Sequence, residues 1–238
     1  MAYLRSTVFF VIYFCSTVIY GCLSIFIFLL PFRYRHRFIA SWTGIIVYAA
    51  RIICGVRYRV SGLENLKLAE QPVVVLSKHQ SAWETLFLQR LFFPAATVLK
   101  QELLSIPFFG WGLRALQPIA IDRSNPKMAL KQVKTQGQDR IQRGYNVILF
   151  PEGTRIPAGQ KGKYARSGAD IAKDAGVNIL PIAVNSGYCW PVGSFVKHAG
   201  VVDVVIGPPI APQNKTSKEL IGQVEQWIES TMSTLTRD

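Results

Sequence analysis

The first 63 residues contain no aspartate and no glutamate. They carry seven arginines instead: Arg5, Arg33, Arg35, Arg37, Arg51, Arg57 and Arg59. A segment so devoid of acid is unlike the mixed-charge surface of an ordinary soluble domain. Cysteine is equally sparse in pattern. Cys15, Cys22 and Cys54 lie in apolar stretches, and Cys189 stands alone, so no C-x-x-C pair and no disulfide framework is present. Usage of this kind fits a reduced, cytosol-facing chain. Histidine occurs three times, at His36, His79 and His198, without the spacing of metal ligands, so no metal is inferred. There is no internal repeat, no low-complexity tract and no G-x-S-x-G nucleophile elbow, which argues against a serine hydrolase. A nucleic-acid-binding motif is also missing. The net charge of +13 would otherwise suggest such a partner, but the N-terminal charges border apolar runs and form no polar basic face.

What is there begins with hydrophobicity, at 50% of 238 residues. Residues 6–32 carry no charge. As a helix, residues 6–30 would be about 37 Å long, enough to cross a hydrocarbon core with some tilt. The run is too long for the apolar part of a secretion signal, and no small-x-small site follows it. Pro31 and the cluster Arg33-Tyr34-Arg35-His36-Arg37 are expected to end it and, if it spans, to place its C-terminal side in the cytoplasm. A second apolar run, Phe38 to Val56, is interrupted by Arg51. It reads equally as a second span, an interfacial helix with Arg51 snorkelling, or half of a hairpin dipping into one leaflet. Residues 1–55 are thus expected to be a membrane-attached helical pair, and residues 56–238 a second domain that carries the chain's chemistry.

From Val56 onward, short apolar runs alternate with amphipathic ones, the pattern of an α/β domain with a largely parallel sheet. Strands are expected over 57–60, 73–76, 97–100, 118–121, 147–150, 179–183 and 201–206. Helices are expected over 82–91, 127–143, 164–175 and 218–234, the last capped by Thr216 or Ser217. Gly144 and Gly176 close two of them. Ligands in such sheets collect at the C-terminal ends of the strands. Four polar features follow predicted strands: His79, Lys100, Asp122-Arg123 and Phe150-Pro151-Glu152.

His79 sits on the turn between strand 73–76 and helix 82–91, and Glu84 falls in the first turn of that helix. Five residues on one helix turn through about 500°, so the two side chains meet only if His79 lies before the helix. The carboxylate would then hold one ring nitrogen and leave the other free as a base. An ordinary reading competes: a polar loop with Ser81 as cap and Glu84 as a first-turn acid. Lys100, Arg123 and Arg155 likewise read singly as surface charges. Taken together, a base, an acid and several cations on strand ends ask for a common explanation. Gly153 would permit a tight turn, and Arg155 offers a planar fork suited to phosphate.

These stretches resemble the signature blocks of the glycerolipid acyltransferases, in particular the 1-acyl-sn-glycerol-3-phosphate acyltransferases. The H-x-x-x-x-D block is matched by His79, with Glu84 standing where the family has Asp. The second block is matched by Lys100 to Gly110 and continues to Ile121-Asp122-Arg123. F-P-E-G-T-R is matched without change by Phe150 to Arg155, and the fourth block by Val177 to Ala183. The resemblance implies transfer of a fatty acyl group from acyl-CoA or acyl-carrier-protein to the 2-hydroxyl of lysophosphatidate, giving phosphatidate. It implies His79 as base, Glu84 as its orienter, and Lys100, Arg123 and Arg155 toward the substrate phosphate. Glu152, Gly153 and Thr154 would shape the glycerol-phosphate pocket. No cofactor is implied beyond the donor substrate, and the setting would be the cytoplasmic face of a bacterial inner membrane. Other acceptors within the superfamily, such as lyso-ornithine lipid or glycerol-3-phosphate, stay open at this point. So do a non-catalytic lipid-binding protein and a lipid hydrolase.

Overall fold

The apolar residues on either side of Pro31 form two long helices in the structure, a computed structural model that describes residues 1–70 and 72–235. Helix α1 runs Ala2–Ile27 and α2 runs Phe32–Ala49, extended by a π-helical turn over Ala50–Cys54. Both are long and apolar enough to cross a membrane. The first apolar run ends before Pro31 as expected, with α1 stopping at Ile27, but the arginine cluster belongs to the next helix. Pro31 occupies the N-cap of α2, where its missing N–H is no loss, and the cluster forms the first turns. The register then turns Arg33 and Arg37 outward and buries His36, whose Nε2 lies 3.1 Å from the Ala95 amide.

The two helices are covered unequally. α1 is largely bare, exposing Phe10, Phe14, Ile19 and Phe26, whereas over half of the second apolar segment is packed against protein. α1 touches the remainder of the chain along one narrow stripe. Phe9 meets Trp190 edge-on at 5.2 Å, and Tyr13 meets Trp42 at 5.7 Å. Gly21 closes against Phe108, so tightly that a Cβ there would lie 2.5 Å from the Phe108 carbonyl oxygen.

Seven strands follow: β1 (Val56–Ser61), β2 (Val74–Ser77), β3 (Ala95–Lys100), β4 (Ile119–Ile121), β5 (Asn146–Leu149), β6 (Ile179–Val184) and β7 (Gly200–Ile206). The intervening helices are α3 (Glu64–Leu68), α4 (Trp83–Leu91), α5 (Phe109–Ala115), α6 (Pro126–Gln142), α7 (Ser167–Ala175) and α8 (Ser217–Met232). The sheet order is β1-β7-β6-β2-β5-β3-β4, parallel throughout except between β6 and β7. The largely parallel α/β sheet read from the sequence is the sheet observed. The helix expected from Tyr164 starts only at Ser167, and Tyr164 lies in the preceding loop.

Residues of the central strands alternate between two cores, as the pleat requires. Val75, Ile148 and Leu180 join Trp83, Phe87 and the α2 residue Ile46 on one face. Val74, Leu76, Val147, Leu149 and Ile179 join Val133, Ile171, Leu220 and Val224 of α6, α7 and α8 on the other. Asn125 caps α6, with Pro126 at its first position. Thr216 and Glu219 form a reciprocal capping box on α8. Because β2 is parallel to both β5 and β6, the segments that leave these three strands emerge along one edge. His79 follows β2, Phe150 follows β5 and Ser186 follows β6.

Candidate active site

The turn between β2 and α4 fixes the geometry that the sequence spacing demanded. His79 lies before the helix, and its Nδ1 is 2.8 Å from Glu84 Oε1. An ionised carboxylate only accepts, so Nδ1 carries the proton and Nε2 keeps a bare lone pair. Among the described residues nothing hydrogen-bonds to Nε2. The imidazole stacks on Phe150 with ring centroids 3.9 Å apart, which fixes its plane, and the side chain is 14% exposed at the mouth of the sheet.

Glu84 is enclosed, and every neighbour donates to it. Oε1 also receives the backbone N–H groups of Gln80 and Ser81, each at 2.8 Å. Oε2 receives the hydroxyls of Ser81 and Ser186, each at 2.6 Å. Burial alone would drive this carboxyl upward, but the bonds from His79, Ser186 and Ser81 outweigh it and hold the group below the usual carboxylate range. The extra methylene relative to Asp is absorbed because the carboxylate reaches back over its own helix N-terminus. Both readings of the pair are therefore true at once: Glu84 is a first-turn acid that ties down the turn before its helix, and it also holds the imidazole. Ser81 adds its part by accepting from the Trp83 amide at 2.9 Å.

The backbone of His79 is pinned at both ends by the F-P-E-G-T-R segment and the loop beyond it. Its N–H donates to Glu152 Oε2 at 3.0 Å, and its carbonyl accepts from Ile156 N–H at 2.8 Å. Glu152 has a fully buried side chain that faces the loop under His79, where Oε1 also accepts from Lys78 Nζ at 2.7 Å. Gly153 adopts φ +68° and closes a turn by donating to the Phe150 carbonyl at 2.9 Å. A Cβ there would meet nothing, so the glycine answers a backbone demand and not a crowded space. Thr154 and Arg155 stand exposed at the tip.

Arg123 crosses from the end of β4 and donates to the Gly153 carbonyl, joining two of the motif segments. It is not the partner of Asp122, which instead accepts from the Ser124 amide and hydroxyl. Lys100 is exposed at the end of β3. Neither Lys100 nor Arg155 forms a hydrogen bond or ion pair with a described residue, so both cations are available to a ligand.

Sequence reasoning missed Ser186, Lys78, Tyr164 and Glu229. Ser186 had a usable signal: Asn185-Ser186 follows a predicted strand, the criterion that selected the other candidates. Among the described residues no set of three His, Cys, Asp or Glu side chains gathers as a metal site.

Known proteins share this sequence and fold. The profile of the Acyltransferase family matches residues 57–185. A 1-acyl-sn-glycerol-3-phosphate acyltransferase of Pseudomonas aeruginosa is 46% identical over 235 residues, covering 97% of this chain and 91% of that protein. A chloroplastic 1-acyl-sn-glycerol-3-phosphate acyltransferase of Arabidopsis thaliana is 30% identical over 184 residues, 76% of this chain and 50% of that one. In fold, the crystal structure of the 1-acyl-sn-glycerophosphate acyltransferase from Thermotoga maritima superposes with a TM-score of 0.82 at 24% identity, over 98% of this chain and 95% of that one. The histidine held by a carboxylate lies at the C-terminal edge of the sheet, within the stretch that the family profile matches. The chain belongs to the acyltransferase family, and within it groups with the 1-acyl-sn-glycerol-3-phosphate acyltransferases.

Proposed function

We propose that the chain transfers a fatty acyl group from acyl-CoA or acyl-carrier-protein to the 2-hydroxyl of 1-acyl-sn-glycerol-3-phosphate, forming phosphatidate. The single observation that carries this reading is the His79–Glu84 pair, with Nδ1 held at 2.8 Å and Nε2 bare. Nε2 accepts the hydroxyl proton as the acceptor oxygen attacks the thioester carbonyl carbon. The charge on Glu84 stabilises the imidazolium so formed. As the tetrahedral intermediate collapses, the C–S bond breaks and the imidazolium returns its proton to the leaving thiolate. The products are the new ester and the free thiol, with no acyl-enzyme, no metal and no cofactor in the cycle.

Arg155, Lys100 and Arg123 bind the acceptor phosphate. Arg155 supplies the fork and Lys100 a point charge, and Arg123 also braces the Gly153 turn. Gly153 and Thr154 form the wall of the glycerol-phosphate pocket with their backbone. Glu152 acts from beneath by holding the His79 amide. Helices α1 and α2 attach the enzyme to the cytoplasmic face of a membrane, where the lysophospholipid resides, and the donor arrives from the water side. The exposed apolar side chains of α1 and the seven acid-free arginines support that placement.

The test is transfer by detergent-solubilised enzyme from labelled acyl-CoA, and then from acyl-carrier-protein, to 1-acyl-glycerol-3-phosphate. Wild type should yield phosphatidate and a folded His79→Ala variant none. Substantial turnover by that variant would sink the base assignment. Free fatty acid released without acceptor would instead mark a hydrolase.

A further inference from the structure

Lys78 precedes the proposed base by one residue and sequence offers no reason to single it out. It is nevertheless one of the largest fully buried side chains in the molecule. Its ammonium lies between two carboxylates, Glu152 Oε1 at 2.7 Å and Glu229 Oε1 at 2.9 Å, with the Gln160 carbonyl at 3.1 Å. Tyr164 donates its hydroxyl to the same Glu229 oxygen at 2.8 Å. Burial and Glu229 push that phenol up, so it remains a neutral donor. Glu229 belongs to α8, outside the 57–185 stretch that the family profile matches and outside every motif block. The residue before it, Ile228, is fully buried with Leu220 and Val224, so α8 is fixed in place by its apolar stripe.

From these contacts we infer that Glu229 is a positioning residue for the catalytic base, acting through Lys78 and Glu152. The path has three links. Glu229 fixes the Lys78 ammonium, Lys78 fixes the Glu152 carboxylate, and Glu152 Oε2 holds the His79 N–H at 3.0 Å. Two carboxylates hold the one buried ammonium, so releasing Glu229 loosens the chain of contacts that ends at the His79 N–H. The inference rests on His79 being the base.

The experiment uses the full chain, with Glu229→Gln, Glu229→Ala, His79→Ala and a Glu225→Gln control. Glu225 is on the same helix one turn earlier and pairs with Lys161, away from Lys78. Glutamine keeps an oxygen for Lys78 and Tyr164 but removes the charge, so it should fold. Expected for Glu229→Ala is a kcat about ten-fold lower, with Glu229→Gln, which keeps an oxygen for Lys78, between it and wild type. The acceptor KM should stay within about two-fold, since no substrate contact is touched. Glu225→Gln should behave as wild type. The inference is overturned if both Glu229 variants keep wild-type kcat while His79→Ala is inactive. It is equally overturned if they lose kcat only in step with thermal stability, with no rescue by glutamine, or if the acceptor KM rises as much as kcat falls. An active His79→Ala would remove the base reading itself, and this inference with it.

Discussion

Replacing Glu84 by glutamine separates the charge of the site from its shape. The five donors around the carboxylate dictate how an amide would sit. Oε1 faces three N–H groups, from His79 Nδ1, Gln80 and Ser81. An NH2 group placed there would oppose all three, so the amide oxygen must take that position. The NH2 then faces the hydroxyls of Ser81 and Ser186, which can rotate to accept. The fold and the His79 tautomer should survive. What disappears is the negative charge beside an imidazolium. For charge centres about 4 Å apart at an effective dielectric of about 20, that attraction is about 4 kcal/mol. If it operates mainly in the transition state, kcat should fall by roughly 10³-fold with acceptor KM little changed. Glu84→Asp keeps the charge but draws it back by one methylene, and should lose less. The double variant His79→Ala/Glu84→Gln should be no slower than His79→Ala alone, because the carboxylate has nothing left to stabilise. The assay is initial-rate acyl transfer in micelles, with an unfolding midpoint for each variant. A Glu84→Gln enzyme that folds normally and stays within ten-fold of wild-type kcat would refute the electrostatic role.

Other perturbations test other parts. Arg155→Ala should raise the acceptor KM by roughly 10- to 100-fold, the loss of a hydrogen bond to a charged group, while kcat changes little; an unchanged KM removes Arg155 from the phosphate site. The depressed Glu84 carboxyl stabilises the fold above the ordinary carboxylate range, and that contribution is lost as pH falls through the folded value. Urea midpoints should therefore decline more steeply with acidification in wild type than in Glu84→Gln, and parallel profiles would contradict this. Gly21→Ala should cost about 1–3 kcal/mol by forcing α1 off Phe108. Gly222→Ala in α8, where a Cβ meets nothing, should cost none, and equal unfolding midpoints for the two variants would show that the α1 contact is soft.

The strands were legible because each is a short apolar run with polar or glycine-rich edges, and all seven occur within a few residues of expectation. His79 and Glu84 were legible because the pattern switches from strand to helix between them, which forces a unique geometry for contact. Helix α5 was not, since Gly110 and Gly112 within its seven residues hide any helical preference. The end of the first apolar run was legible from Pro31, but the start of α2 within the arginine cluster was not, because a helix tolerates such charges when its alternate faces differ in exposure. Lys78 and Glu229 were illegible for a deeper reason. A lysine in sequence is a solvated charge unless partners bury it, and its partners are 74 and 151 residues away.

The place of β1 at the sheet edge has a consequence during synthesis. Among the described residues β1 pairs only with β7, Val56 against Gly200, so 144 residues must be made before its partner exists. At about 5–20 residues per second the ribosome needs roughly 7–30 s to supply them. Throughout that interval α1 and α2 have already emerged, and an unpaired strand trails directly from them. Arg57 and Arg59 on that strand are well suited to the delay, since charged side chains discourage a bare edge from recruiting a neighbouring nascent chain. The same two arginines that add to the basic character of the finished enzyme would thus act earlier, as guards on a half-made one.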